Sequence, residues 1–216
     1  MPIRLVIFDC DGVLVDSERL TVGVEARMLT ELGWPITVEE VVRKFVGGSD
    51  ATMLAEIEQH LGPELTAEFD RASTEEIVAA FRNRLQPIDG VRELVEGLHT
   101  RSMATCVASS GSYRKIQLTL GKTELLPLFE GRIYSSSEVS RGKPWPDLFL
   151  HAAAAMGVPP NECVVVEDSI NGTRAALAAG MTCYGFADGL TDAQDLLAAG
   201  AVLFNSMAEL ATLLIE

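Results

Sequence analysis

Short apolar runs recur along the chain, and stretches with helical periodicity separate them. Continuous apolar runs are typical of strands that are buried on both faces of a parallel sheet. Helices that alternate with such strands cover both faces of the sheet. The pattern therefore predicts an α/β fold with a doubly wound, Rossmann-like parallel sheet. The predicted strands cover residues 5–8, 104–108, 163–166 and 182–186, with a weaker candidate at residues 201–204.

The segment from residue 16 to residue 86 contains no convincing strand. Its apolar residues recur at helical spacing from Leu20 to Leu32 and again from Leu65 to Leu85. Thr37, followed three residues later by Glu40, predicts a capping box that opens another helix. We therefore expect an all-helical domain inserted after the first strand. The predicted boundaries are residues 16–86 for the helical domain, and residues 1–15 with 87–216 for the α/β core domain.

Polar and charged side chains follow the predicted strands, close to where each strand ends. They are Asp9 and Asp11 after the first strand, Ser109 and Ser110 after the second, Lys143 before a later helix, and Glu167 and Asp168 after the run that begins at Cys163. Ligands bind beyond the carboxyl ends of the strands of a parallel sheet, so we expect these residues to converge there. Residues two apart on a straight strand point the same way, which would place Asp9 beside Asp11.

Carboxylates gathered in this way would repel one another unless a cation lay among them. Mg²⁺ fits this need, because it takes one or two carboxylates and completes its shell with water and phosphate oxygens. Lys143 and Ser109 would hold the phosphoryl group, while Asp9 attacks phosphorus and Asp11 transfers protons. Each residue taken alone also has a structural explanation as part of a turn, a helix cap or a solvated surface. Their shared position at one sheet edge favours phosphoryl transfer.

Composition and charge restrict the partners that we expect. The formal net charge is -14, and a nucleic acid backbone would be repelled by such a surface. No apolar run reaches the roughly 20 residues that span a bilayer, and no signal peptide is recognisable. The four cysteines form no CxxC pair, which is typical of small buried side chains in a reducing compartment. We therefore expect a cytoplasmic protein that binds a small molecule, without nucleic acid or membrane partners.

Four motifs, in order along the chain, resemble those of the haloacid dehalogenase (HAD) superfamily of phosphohydrolases. The first is Asp9-Cys10-Asp11-Gly12-Val13-Leu14-Val15-Asp16-Ser17-Glu18, the second contains Ser109, the third is Gly142-Lys143-Pro144-Trp145-Pro146-Asp147, and the fourth is Glu167-Asp168-Ser169 with Asn171-Gly172. The resemblance runs through essentially the whole chain. It is strongest with the branch that contains β-phosphoglucomutase and many sugar-phosphate phosphatases. That branch carries a helical cap between the first and second motifs.

The resemblance implies a role for each matching residue. Asp9 would be the nucleophile and a metal ligand, and Asp11 would be the acid and base and would bind the metal through its backbone carbonyl. Asp168 would complete the protein ligands of Mg²⁺. Glu167 would assist either as a direct ligand or by contacting the residues that bind the metal. Substrate binding is assigned to Ser109, Ser110, Lys143 and Gly48, the last in the cap loop Gly47-Gly48-Ser49. A plain turn explains that loop equally well.

The implied activity is Mg²⁺-dependent hydrolysis of a small phosphorylated metabolite, such as a sugar or sugar-alcohol phosphate, through an aspartyl phosphate. We expect a monomer, because the cap must move to close the site. The alternative is a mutase of the β-phosphoglucomutase type. The mutases use a histidine and an arginine in the cap where this chain aligns Thr21 and Asp50, although Arg43 and Lys44 lie nearby in sequence. A receiver-like signalling module also phosphorylates an aspartate, but it has no helical cap.

Overall fold

A six-stranded parallel sheet forms the centre of the α/β core. A computed structural model of the chain describes residues 2–46 and 50–214. The strand order is β3-β2-β1-β4-β5-β6, so the strand before Asp9 lies in the middle of the sheet. The strands are β1 Leu5–Phe8, β2 Ala104–Ser109, β3 Ile133–Ser135, β4 Cys163–Glu167, β5 Thr182–Phe186 and β6 Val202–Phe204. The predicted α/β fold with a doubly wound sheet is confirmed.

Ten α-helices accompany the sheet within the described residues. Five of them lie between β1 and β2, and one helix follows each of the other five strands. The helices are α1 Ser17–Glu31, α2 Val38–Phe45, α3 Asp50–Leu61, α4 Pro63–Arg84, α5 Val91–Thr100, α6 Tyr113–Lys122, α7 Asp147–Ala155, α8 Ile170–Ala178, α9 Ala193–Ala199 and α10 Met207–Leu213. None of the helices in the described part of the chain has both the length and the apolar character needed to span a membrane.

One strand, β3, was missed by the sequence analysis. It has only three residues, Ile133–Ser135, and pairs with the end of β2 at the edge of the sheet. Three residues are too few to show a period, and the burial of this strand alternates instead of being continuous. The error has a consequence for the site, because the last residue of β3 and the residue after it contact the loop after β2.

The central strands are buried because helices cover both faces of the sheet. All four residues of β1 have no exposed surface. One face of the sheet packs against Leu148 and Phe149 of α7 and against Ala175 and Ala176 of α8. Burying a large apolar side chain contributes about 1.5–3 kcal/mol, so this packing fixes the strand ends firmly. All four cysteines are buried free thiols, as the sequence analysis predicted.

The chain forms two compact units. One consists of residues Ser17–Leu85, and the other combines the residues up to Asp16 with those from Gln86 onward. Within the helical unit, Thr37 caps α2 and Glu40 returns the hydrogen bond, so the predicted capping box is confirmed. Phe69 and Phe81 of α4 are buried, as their helical spacing predicted.

Candidate active site

Asp9 and Asp11 lie in a turn that begins where β1 ends. The strand stops at Phe8, and the carbonyl oxygen of Cys10 accepts hydrogen bonds from the backbone N–H groups of Leu14 and Val15. Gly12 completes the turn with a φ of 77°, a conformation that residues with a Cβ rarely adopt. The expectation that the two aspartates extend a straight strand is therefore wrong, and their carboxylates bind different lysines.

Lys143 joins the ends of β1 and β4. Its side-chain nitrogen lies 2.6 Å from Oδ1 of Asp9 and 2.6 Å from Oε1 of Glu167. The lysine side chain is only 6% exposed, and its nitrogen lies 4.9 Å from the centre of the Phe149 ring. Two residues from separate strand ends and the lysine that precedes α7 are thus brought into one buried, charged cluster.

Both carboxylate oxygens of Glu167 are already engaged by protein groups. While Oε1 binds Lys143, Oε2 accepts hydrogen bonds from the backbone N–H groups of Asp168 and Ser169 and from the Ser169 hydroxyl, at 2.8–3.0 Å. Gly172 makes this possible, because a Cβ at its position would overlap the Glu167 carboxylate. Glu167 therefore anchors Lys143 to the start of α8.

Asp168 packs directly against the turn that carries Asp9 and Asp11. It is 2% exposed, and a Cβ built on Gly12 would overlap its carboxylate. Gly189, which follows β5, also lies close to Asp168, since a Cβ there would lie 3.4 Å from the Cβ of Asp168. The glycine in the first motif thus has two functions: it permits the turn, and it leaves room for an acidic side chain.

Ser109 ends β2 and begins a short loop that leads into α6. It is buried, and its hydroxyl oxygen accepts a hydrogen bond from the backbone N–H of Gly111 at 3.1 Å. The last residue of β3 and the residue after it hold this loop in place. Ser135 donates a hydrogen bond to the carbonyl oxygen of Gly111 at 2.7 Å, and Ser136 donates one to that of Ser110 at 2.8 Å. The side chain of Ser110 is exposed.

Lys115 is a charged residue of the site that the sequence analysis missed. Its side-chain nitrogen lies 2.9 Å from Oδ2 of Asp11. A lysine in the first turn of α6, six residues after Ser109, belongs to none of the motifs considered above. Its place one turn into the helix that follows the second motif is the only signal in the sequence that points to it.

Burial dominates the electrostatics of Asp9 and Lys143. Desolvation raises the pKa of Asp9 to about 7, with smaller contributions from Glu167 and Asp11, while Lys143 acts in the opposite direction. Burial lowers the pKa of the Lys143 ammonium, but the charges of Asp9 and Glu167 outweigh it and raise that pKa above its usual range. Lys143 therefore remains positively charged at neutral pH, and ionised Asp9 is favoured by any further positive charge beside it.

The donor set available to a metal ion consists of oxygen atoms. Among the residues that the structure describes, no group of three or more His, Cys, Asp or Glu side chains has the arrangement of a metal site. Two features explain this finding: Glu167 is engaged by Lys143 and the start of α8, and Asp11 binds Lys115. The carboxylates of Asp9 and Asp168 both lie at the turn after β1, and hard oxygen donors of this kind suit Mg²⁺.

The family model for haloacid dehalogenase-like hydrolases matches residues 3–180 of the chain. The chain belongs to this family. The phosphohydrolase resemblance read from the motifs is therefore confirmed, and so is the prediction of a phosphoric monoester hydrolase at the level of enzyme class.

Relatives in the HAD family match the chain over most of their own length. The 6-phosphogluconate phosphatase of Escherichia coli is 32% identical over 85% of this chain and 82% of its own. The phosphorylated carbohydrates phosphatase of Thermotoga maritima is 32% identical, with 98% of each chain covered. A HAD family hydrolase from Deinococcus radiodurans, solved with bound phosphate and sodium, has a TM-score of 0.84 and 32% identity, covering 98% of this chain and 95% of that one.

One predicted substrate contact is not covered by the structure. Gly48 and its neighbours Gly47 and Ser49 lie outside the described residues. The predicted role of the cap loop therefore stays a prediction.

Proposed function

We propose that the protein is an Mg²⁺-dependent phosphatase that hydrolyses a small sugar or sugar-alcohol phosphate through an aspartyl phosphate on Asp9. The observation that supports this proposal best is the buried contact of Lys143 with Asp9 and Glu167, at 2.6 Å each. An ammonium group held against a carboxylate nucleophile is placed to bind the oxygens of a phosphoryl group that the nucleophile attacks.

The charges of the buried cluster are consistent with a divalent cation. Asp9, Glu167 and Asp168 together carry three negative charges when ionised, and Lys143 carries one positive charge, which leaves an excess of two negative charges. Asp9 and Asp168, with the backbone carbonyl of Asp11, would hold the Mg²⁺. When bound, Mg²⁺ supplies positive charge that stabilises ionised Asp9 and polarises the phosphoryl oxygens.

The first chemical step transfers the phosphoryl group to the enzyme. A carboxylate oxygen of Asp9 forms a bond to phosphorus while the bond from phosphorus to the ester oxygen breaks. The electron pair of the broken bond stays on the ester oxygen, which takes a proton from Asp11 and leaves as an alcohol. Ser109 and Lys143 bind the phosphoryl oxygens, and the N–H groups at the start of α6 add to this binding.

The second step returns the enzyme to its starting state. A water molecule gives a proton to the Asp11 carboxylate and attacks phosphorus, and the bond from phosphorus to Asp9 breaks. Inorganic phosphate leaves, and Asp11 again carries the proton for the next cycle. Glu167 takes no part in proton transfer, and it holds Lys143 in place throughout.

A phosphate-release screen tests this function. The substrates are phosphorylated sugars, polyols, nucleotides and short acids, each with and without Mg²⁺. We expect turnover of at least one sugar or polyol phosphate, its loss on chelation, and its loss in Asp9→Asn. Asp89→Asn, which changes an exposed aspartate of the same unit, is the matched control and should retain activity. Full activity of Asp9→Asn, or full activity with the metal removed, would contradict the proposal.

The mutase alternative is tested in the same experiment by following β-glucose 1-phosphate isomerisation. Lys44, one of the two nearby cations that could replace the missing arginine, forms an ion pair with Glu56 inside the helical unit. Hydrolysis without isomerisation is the expected result. Isomerisation faster than phosphate release would assign the chain to the mutases.

A further inference from the structure

Lys115 makes an ion pair with the residue proposed as acid and base. Its nitrogen lies 2.9 Å from Oδ2 of Asp11, while the nucleophile Asp9 is held by a different lysine, Lys143. We infer that Lys115 is a positioning residue that holds the Asp11 carboxylate through Oδ2, so that the proton is exchanged at Oδ1. The inference rests on the proposed function.

The helix that carries Lys115 is firmly placed. Ser112 caps α6 by accepting a hydrogen bond from the backbone N–H of Lys115, and Ile116 and Leu120 on the same helix are buried. The lysine stem therefore starts from a fixed point in the first turn. Because the ammonium group is joined to a rigid helix, its contact with Asp11 restricts where that carboxylate can lie.

Proton transfer requires such a restriction. Asp11 must face the departing ester oxygen in the first step and the attacking water in the second. Misplacement by about 1 Å costs on the order of a hundredfold in rate. Asp11 is located on a turn instead of a strand, so the turn alone does not fix its side chain. A hydrogen bond to one carboxylate oxygen orients the other, and Lys115 supplies that bond.

A second use of Lys115 competes with this inference. A Cβ built on Gly111 would lie 3.4 Å from Cδ of Lys115 and 3.4 Å from Oγ of Ser109, so the lysine stem passes close to the loop that binds the phosphoryl group. Lys115 could then bind the phosphoryl group itself. The two roles predict different dependences of the rate on the leaving group. If Lys115 positions Asp11, its removal slows only substrates whose leaving group needs a proton, whereas loss of phosphoryl binding would slow all substrates equally.

The test compares Lys115→Met with wild type on two substrates of similar shape. Phenyl phosphate releases a phenolate that needs a proton, whereas p-nitrophenyl phosphate releases a phenolate that is stable without one. Glycerol phosphate, with a poorer leaving group, extends the series. We expect kcat/KM of Lys115→Met to fall about tenfold to a hundredfold for glycerol phosphate, less for phenyl phosphate, and little for p-nitrophenyl phosphate. Lys122→Met, at the exposed end of α6, is the matched control and should resemble wild type on all three.

Two further variants separate positioning from folding. Lys115→Arg should recover part of the lost rate, because a guanidinium also donates to a carboxylate. In an Asp11→Asn background, Lys115→Met should cause no further change in kcat/KM. An ion pair that is still partly exposed contributes little to stability, so thermal unfolding of Lys115→Met should match that of Lys122→Met.

Each outcome has a defined meaning. An equal loss on all three substrates, an additive loss in the Asp11→Asn background, or no loss would each overturn the positioning role of Lys115. If the proposed function itself were wrong, Asp9→Asn would retain activity, and the leaving-group series for wild type and Asp11→Asn would be the same. If only the inference about Lys115 were wrong, Asp9→Asn would still be inactive, and the leaving-group series for wild type and Asp11→Asn would still differ.

Discussion

The side-chain nitrogen of Lys143 lies 2.6 Å from Oδ1 of Asp9, and both side chains are almost entirely buried. In the interior, an ammonium and a carboxylate this close depend on each other, because either charge alone would be costly to desolvate. In the proposed function, the oxygens of a phosphate ester would take over part of the hydrogen bonding between Asp9 and this lysine. The ion pair between Lys143 and Asp9 therefore contributes both to the stability of the fold and to the proposed catalysis.

Removal of Lys143 should damage both properties. We expect Lys143→Met to lower the free energy of unfolding by about 3–5 kcal/mol, because Asp9 and Glu167 lose the charge that compensates them. Turnover should fall on the order of a hundredfold to a thousandfold. Urea unfolding and phosphate release would measure the two effects. Lys122→Met removes the same charge from an exposed position and should change neither, so equal effects in the two variants would refute this explanation.

Gly172 should tolerate no Cβ, because the Glu167 carboxylate occupies that space. Gly172→Ala should lower the free energy of unfolding by about 1–3 kcal/mol and reduce turnover, since Glu167 can no longer hold Lys143 in place. The matched control is Gly97→Ala within α5, where a Cβ would meet nothing within 4 Å. That variant should gain about 0.5–1 kcal/mol from helix propensity. A Gly172→Ala protein as stable and active as wild type would show that the carboxylate moves without cost.

A comparison of Gly12 with Gly131 separates two effects of adding a Cβ: backbone strain at a positive φ, and steric overlap with a neighbouring side chain. Both have positive φ, at 77° and 73°, but only a Cβ on Gly12 would overlap a side chain, that of Asp168. Alanine at either position should cost about 1–2 kcal/mol of backbone strain. Only Gly12→Ala should also require more Mg²⁺ for half-maximal activity, because Asp168 is displaced. Mg²⁺ activation curves beside urea unfolding would test this, and equal Mg²⁺ requirements would contradict it.

The four native thiols should react slowly. Burial raises the pKa of Cys183 to about 12 and that of Cys163 to about 11, and it raises the pKa of Cys10 and Cys106 as well. Since the thiolate is the reactive form, iodoacetamide should modify none of them within the time that labels an exposed thiol. Mass spectrometry of native and urea-unfolded protein would count the modified sites. Lys122→Cys supplies the exposed comparison, and rapid native labelling of any of the original four would show that the structure around that thiol opens.

Much of the fold could be predicted because its signals are local. The apolar run Leu5–Phe8 indicates a buried strand by itself, and Thr37 with Glu40 indicates a helix start within four residues. The strand β3 could not be predicted in the same way. Its three residues carry too little pattern, and it becomes a strand because β2 offers hydrogen bonds beside it.

The sequence by itself determined which elements form and which polar residues follow the strands, because a residue's place in a strand or helix depends mainly on near neighbours. The tertiary structure decided the pairing of those residues. Lys143 and Asp9 are 134 positions apart, and Lys115 and Asp11 are 104 apart. No local pattern says which lysine reaches which aspartate, because that depends on strand order, on the turn at Gly12 and on the direction in which α6 leaves the sheet.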